Sequence, residues 1–135
     1  MSKSRIVVSA VIERDGAILL GKKAPGAGPY PDTWHLPGGG VNLGQETLVE
    51  AVRREVREET GIEIDSIEPL IFDEDDEPDK HGVMTHYIFL VYRARHASGT
   101  LRPADDLKEL RWVKKEELSR MPLTRPSKKL LPSLF

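Results

Sequence analysis

Three glutamates, Glu55, Glu58 and Glu59, stand at positions i, i+3 and i+4 of one segment, and Gly61 follows them. Like charges at this spacing repel one another on a helix. Partly buried, they also lose hydration, which is costly unless a cation compensates it. Carboxylate oxygens suit a hard divalent ion, Mg²⁺ or Mn²⁺. The competing reading is a solvated, salt-bridged helix face, the usual fate of such charge. Upstream, Pro37-Gly38-Gly39-Gly40 reads as a turn whose bare backbone can approach a ligand closely. Helix N-terminal amides favour anions, so a glycine turn leading into an acid-bearing helix is a sensible place for phosphates.

A helical projection separates the two readings. With about 100° per residue and Leu48 at zero, Val52 falls near 40°, Val56 near 80° and Val49 near 100°, defining the expected buried stripe. Glu50, Arg53, Arg54 and Arg57 fall between roughly 140° and 240°, facing away. Glu55, Glu58 and Glu59 fall between roughly −80° and +20°, on the edge of the apolar face. That placement favours the metal site.

The elements that must position these residues follow from local patterns. Ile6 to Ile12 is mostly β-branched and reads as a strand; Arg14-Asp15-Gly16 is a turn signal; Ala17 to Lys23 is the returning strand. A Gly/Pro-rich loop, Ala24 to Asp32, precedes a brief extended piece, Trp34-His35-Leu36. The helix is expected from about Gln45 to Thr60, with Gly61 as its C′ residue and Ile62 as the following hydrophobic contact. Ile64 to Phe72 reads as a strand interrupted by Pro69, and the acidic run Asp73 to Asp79 as a solvated loop. Val83 to Arg95 is the longest strand candidate, and Ala97 to Asp106 a turn and loop. Leu110 to Val113 is a short strand, Glu116-Glu117-Leu118 a short helix, and Lys128 to Leu131 a last helix stopped by Pro132. Such an order suits a mixed sheet with helices on its faces.

Composition sets the outer limits. The 135 residues suit one domain with a real core. A net charge of −2 gives no electrostatic footprint for duplex nucleic acid. No apolar run reaches membrane-spanning length, and the N-terminus leads into a strand rather than a signal peptide. With no cysteine there is no disulfide frame and no thiolate metal site. A cytoplasmic address is the expectation.

The stretch Gly40-Val41-Asn42-Leu43-Gly44-Gln45-Glu46, then seven residues, then Arg54-Glu55-Val56-Arg57-Glu58-Glu59-Thr60-Gly61-Ile62, resembles the signature of the Nudix, or MutT-like, hydrolases. Seven fixed positions at average residue frequencies would coincide by chance on the order of once in 10⁸ windows. The resemblance extends to Trp34-His35-Leu36-Pro37-Gly38-Gly39 before the box (residues 40–62) and to Leu110 to Leu118 after it. It implies one Nudix domain over residues 1–135. The implied fold is α/β, the Nudix α/β/α sandwich: a mixed sheet with the box helix packed on it. One departure is the front end, where three glycines follow Pro37 and Gln45 separates Gly44 from Glu46. Either Gly39 or Gly40 is then the first structural glycine, and Glu46 is expected to carry little.

The resemblance also implies the chemistry. Members hydrolyse a nucleoside diphosphate linked to another moiety: water attacks phosphorus while Mg²⁺ or Mn²⁺ neutralises charge. Matched residue by residue, Glu55 and Glu59 are the principal metal ligands, Glu58 shares or bridges a second ion, and the Gly39 carbonyl adds a ligand. Arg54 is expected to orient the acids or the loop. The general base is an acid of the box or one from a late loop, where Asp106 and Glu109 are the candidates. Trp34, Phe72 and Tyr87, with Tyr30, are candidates to stack on a base, and Gly38, Gly39 and Gly40 to approach the phosphates. His35 and His86 are candidates to line the cleft; His81 and His96 read as surface.

For substrate, the compact length, the aromatic set and the ending Leu123-Thr124-Arg125 with Lys128-Lys129 resemble the nucleoside triphosphatase group. ADP-ribose or nucleotide-sugar hydrolysis is the alternative, on the strength of Pro78. A Nudix domain that senses a nucleotide without cleaving it is the reading from a different class. The partner is a small-molecule nucleotide, and a homodimer through an edge strand or helix is compatible with the family.

Overall fold

The computed structural model describes residues 3–23, 33–79, 81–102, 107–118 and 120–122. The chain forms β1 (Lys3–Arg14), β2 (Ala17–Lys23), β3 (Trp34–His35), β4 (Gly38–Gly40), α1 (Leu48–Thr60), β5 (Glu63–Pro78), β6 (Met84–Ser98), β7 (Leu107–Lys114) and α2 (Lys115–Leu118). The expected last helix over 128–131, the loop with Tyr30, and Asp106 lie outside the described residues.

The β-branched run at the start becomes the central strand. β1 runs parallel to β6 on one edge, from Lys3↔Thr85 to Glu13↔Arg95. Its other edge is shared, antiparallel, between β2 at Glu13 and Arg14 and β4 at Val7 to Ser9. The sheet order is β3-β2-β1-β6-β5, with β4 on β1 and β7 on β2. Asp15 and Gly16 both have positive φ, 49° and 79°. Two left-handed residues make a two-residue hairpin whose twist matches its strands.

Alternation along the strands sends side chains to two cores. Val8, Ala10, Ile12, Leu19, Ile62, Ile64, Tyr92 and Ala94 pack under Ala51, Val52 and Val56 of α1. On the other face Val11, Ile18, Leu20, Trp34, Leu36, Val91 and Val113 pack together, with Leu118 of α2 and Met121 over them. The result is the expected α/β/α sandwich. Val52 and Val56 are wholly buried, each contributing about 1.5–3 kcal/mol. Among the described residues no helix is long and apolar enough to cross a membrane.

Four expectations need correction. The helix begins at Leu48, not Gln45, because Thr47 caps it: the Thr47 hydroxyl accepts from the Glu50 amide and the Glu50 carboxylate accepts from the Thr47 amide. This reciprocal box satisfies two otherwise orphan donors, so those amides are taken from within. Leu48 and Val49 are then first-turn residues, 38% and 40% exposed, and burial starts at Ala51. Pro37 to Gly40 is not a turn, since Gly38–Gly40 is a strand laid along β1.

The acidic run is not a loop either. β5 continues through it to Pro78, paired residue by residue with β6. Acidic residues are poor strand formers, but their pairing partners are the strong formers Tyr87 to Leu90. His86, opposite Asp76, points both ring nitrogens at carboxylates, Nδ1 at Asp76 Oδ1 and Nε2 at Glu74 Oε2, each 2.8 Å. Pro69 falls at a register shift rather than a strand end, and a second shift accompanies Ser66 at φ 53°. At the far end, Asp79 accepts from Lys3 at 2.5 Å and from the His81 and Val83 amides. The Lys3 contact first, then the Val83 amide, holds its carboxyl well below the usual range.

Candidate active site

Gly61 ends the helix as anticipated, at φ 78° with its N–H donating to the Arg57 carbonyl. Thr60 fixes the exit: its hydroxyl donates to Val56 O at 2.6 Å, and its carbonyl accepts from Arg102 N. With both ends fixed, α1 presents its last two turns to β1 and β4, where the glutamates and glycines meet.

Glu59 is 6% exposed, and its Oε1 accepts from the Gly38 amide at 2.8 Å. A Cβ on Gly39 would land on the Glu55 carboxylate. Glycine there lets Glu55 lie against the strand by close approach, and no unusual backbone angle is involved. The glycine strand is the floor on which two of the three carboxylates sit. Glu58 lies further out, its side chain 47% exposed against 15% for Glu55.

Arg54 contradicts the projection. It does not face away; its guanidinium curls back among the acids. Nη1 donates to Glu55 Oε1 at 2.8 Å and to Glu58 Oε2 at 3.2 Å. Nη2 donates to Glu46 Oε2 at 2.8 Å and to the Gly40 carbonyl at 3.1 Å, and Nε to Glu46 Oε1 at 2.8 Å. The wheel places only the Cα direction, and a long side chain starting near the acid edge swings across it. The Glu46 contact first, then Glu55, draws Arg54 above its already high ordinary pKa, against the cost of its burial.

Glu46 is the second correction. Far from idle, it grips Arg54 with both oxygens and accepts from the Asn42 amide at 2.9 Å. The Arg54 contact, then the Asn42 amide, lowers its pKa from 4.5 to about 2. The signal that could have found it is the five-residue spacing from Gly40, the glycine whose carbonyl Arg54 also holds.

Sequence reasoning missed Arg5 altogether. Its guanidinium fills the space where a Gly40 side chain would be. In β1 it stands in register with Tyr87, whose ring stacks on Phe89 at 5.8 Å and 21°.

The remaining candidates are scattered. Glu109 is exposed on β7 across from Lys22 on β2, whereas the acids stand on α1 against β1 and β4. Phe72 is 78% exposed on β5. Trp34 is 6% exposed in the core opposite α1, with the Lys22 amine 5.9 Å over its ring. His35 is buried, its Nδ1 2.7 Å from Leu36 O, and His96 packs on Trp112 at 5.8 Å.

The donor chemistry fits a hard cation. Glu55 lies over Gly39 and Glu59 on the Gly38 amide, with Glu58 tied to Glu55 through Arg54, and every side-chain donor is oxygen. Among the described residues no three acids or histidines already stand in a coordinating arrangement. Arg54 currently supplies the positive charge to Glu55 and Glu58.

Comparison with known proteins agrees with this fold. The family described as NUDIX domain matches residues 3–134. The chain is 32% identical over 132 residues to the nucleoside triphosphatase NudI of Enterobacter sp. (strain 638), covering 93% of each chain. The crystal structure of a MutT NUDIX hydrolase from Burkholderia pseudomallei superposes with a TM-score of 0.84 at 31% identity, covering 99% of this chain and 100% of that one. The NUDIX domain of Shewanella oneidensis NrtR, complexed with ADP ribose, superposes at 0.80 with 21% identity over 99% of this chain and 88% of that one, a likeness of fold alone.

Proposed function

The chain belongs to the NUDIX domain family, and from that premise we propose that it hydrolyses a (deoxy)nucleoside triphosphate to the monophosphate and pyrophosphate with Mg²⁺ or Mn²⁺. Its coarser activity is that of a Nudix pyrophosphohydrolase acting on a nucleoside diphosphate linked to another group. The triphosphate reading rests on the full-length similarity to nucleoside triphosphatase NudI.

The observation that carries the reaction is Glu59 on the Gly38 amide with Glu55 and Glu58 held together by Arg54. Glu55, Glu59 and the Gly39 carbonyl would hold one cation, with Glu58 sharing or bridging a second. When bound, the metal neutralises phosphate oxygens and acidifies the attacking water. The chain's own part is positioning. The Gly38 amide fixes Glu59, and Arg54 fixes Glu55 and Glu58 relative to Gly40. Such preorganisation matters because misplacement by an ångström costs on the order of a hundredfold in rate. Glu58, the most exposed of the three, is the box acid with best access to water and is the first choice as base. Asp106 and, on β7, Glu109 are the alternatives. Tyr87, with Phe89 beside it, offers the nucleobase an aromatic face.

The test is a panel of NTPs, dNTPs, ADP-ribose and nucleotide sugars with Mg²⁺, scored for pyrophosphate and phosphate. Pyrophosphate release from triphosphates is expected, and it is abolished in Glu58→Gln and Glu59→Gln proteins that still fold. Full activity in both variants would sink the site assignment. Cleavage of ADP-ribose alone would move the substrate, and binding without any hydrolysis would replace the enzyme with a nucleotide sensor.

A further inference from the structure

We propose that Arg5 is a substrate-binding residue that grips the polyphosphate arm from the other side of Gly40 to Arg54 and the acids it holds. This rests on the reading that the substrate is a nucleotide polyphosphate.

The site as described is strongly negative. Glu46, Glu55, Glu58 and Glu59 gather there, and Arg54 directs its N–H groups at Glu46, Glu55, Glu58 and Gly40 O. Arg54 is thus committed to holding protein groups. A polyphosphate approaching this cluster needs positive charge that is not so committed. Arg5 supplies it. Unlike Lys3, Arg57, Arg93 and Arg111, which each reach a carboxylate, Arg5 has no ion pair or hydrogen bond among the described residues. Its side chain is exposed.

Its position is built rather than incidental. Gly40 is flanked by two guanidinium groups: Arg54 holds its carbonyl, and Arg5 occupies the place of its missing side chain. Any Cβ at residue 40 would overlap Arg5 Nη2 and Nε. The same glycine thus ties the acid cluster on one side to an uncommitted fork of donors on the other. The parallel register sets Arg5 opposite Tyr87 and Val7 opposite Phe89, so the aromatic pair stands on the neighbouring strand. A planar fork of five donors matches phosphate oxygens two at a time, and an aromatic face on that strand suits a base.

The experiment measures binding of inorganic tripolyphosphate by calorimetry, with saturating Mg²⁺, to wild type, Arg5→Ala, Arg5→Lys, Gly40→Ala and the Arg5→Ala/Gly40→Ala double variant. Arg14→Ala, a cation at the far end of β1, is the control. Losing a charge-assisted contact should weaken binding about tenfold to a hundredfold. Arg5→Lys should recover part of it, since it keeps the charge without the fork. Gly40→Ala should act by displacing Arg5, so the double variant should be no weaker than Arg5→Ala, the non-additivity expected of one shared contact. Affinity for orthophosphate should change little. Wild-type-like binding by Arg5→Ala overturns the proposal, as does multiplication of the two single losses, or a wild type that binds no tripolyphosphate. Arg5-dependent binding with no turnover of any nucleotide would leave Arg5 in place and remove the hydrolase reading. Triphosphate turnover with Arg5-independent binding would do the reverse.

Discussion

Arg54 meets Glu46 through two parallel contacts, Nε to Oε1 and Nη2 to Oε2, each 2.8 Å. The pair joins the loop to the helix across eight residues, and the remaining nitrogen of Arg54 reaches Glu55 and Glu58. Glu46→Gln should therefore disturb two acids it does not touch. The expected result is a fall in kcat of about tenfold to a hundredfold with a smaller change in KM, measured on the preferred substrate. A change confined to KM would show that Glu46 does not act through the acids.

The same pair sets a pH dependence. The folded pKa of Glu46 is lowered from 4.5 to about 2, so its contribution to stability is present above 4.5 and is lost as pH falls toward 2. The difference in urea midpoint between wild type and Glu46→Gln should be full at neutral pH and shrink across that interval. A difference that holds constant down to pH 2 would contradict the ion pair.

His86 works in the opposite sense. Asp76 first, then Glu74, raise its pKa above 6.5. Its contribution is fully present below 6.5 and fades as pH rises through the higher folded value. His86→Gln should thus destabilise at mildly acidic pH and converge on wild type in alkaline buffer. Because the three side chains are largely exposed, the effect should weaken with added salt. Equal destabilisation on both sides of the window would mean that packing, not charge, is lost.

The helix boundaries give two stability tests away from the chemistry. Thr47→Ala removes the hydroxyl that accepts from Glu50 N and should cost about 1 kcal/mol. Gly61→Ala forces a Cβ into φ 78°, 3.1 Å from Thr100 O, and should cost about 1–2 kcal/mol from the left-handed backbone alone. Urea unfolding with unchanged m-values reads both. A neutral Gly61→Ala would place the C′ residue elsewhere.

What was legible in the sequence was whatever local chemistry decides. Asp15-Gly16 and Gly61 need left-handed backbone and announced their turns; Ile6 to Ile12 and Val83 to Arg95 announced strands by β-branching and aromatics. The approach of Glu55 and Glu59 to the sheet was visible from helical periodicity. Three things were not. Arg54 sits at the border of the projection, and its direction is set by Glu46, a residue of the preceding loop. The acidic strand runs against its own propensity and is specified by its partner β6, with His86 between Glu74 and Asp76. Arg5 was invisible for the same reason, since only the pairing of β1 with β4 brings it over Gly40.

Gly39, just before the box, and Gly44, within it, separate two reasons for a glycine. Gly44 has φ 83° with nothing within 4 Å of its added Cβ, whereas Gly39 has ordinary φ and no room. Gly44→Ala should cost stability, about 1–2 kcal/mol for a left-handed alanine, and leave the kcat of the folded protein near wild type. Gly39→Ala meets only the end of a flexible glutamate. It should fold with little loss because Glu55 can swing away. That swing moves a carboxylate from the glycine floor, so turnover should fall by about a hundredfold and stabilisation by Mg²⁺ in a thermal melt should shrink. Melting curves with and without Mg²⁺, beside kcat, distinguish the two variants. An active, Mg²⁺-stabilised Gly39→Ala protein would show that Glu55 does not need its place against the glycine strand.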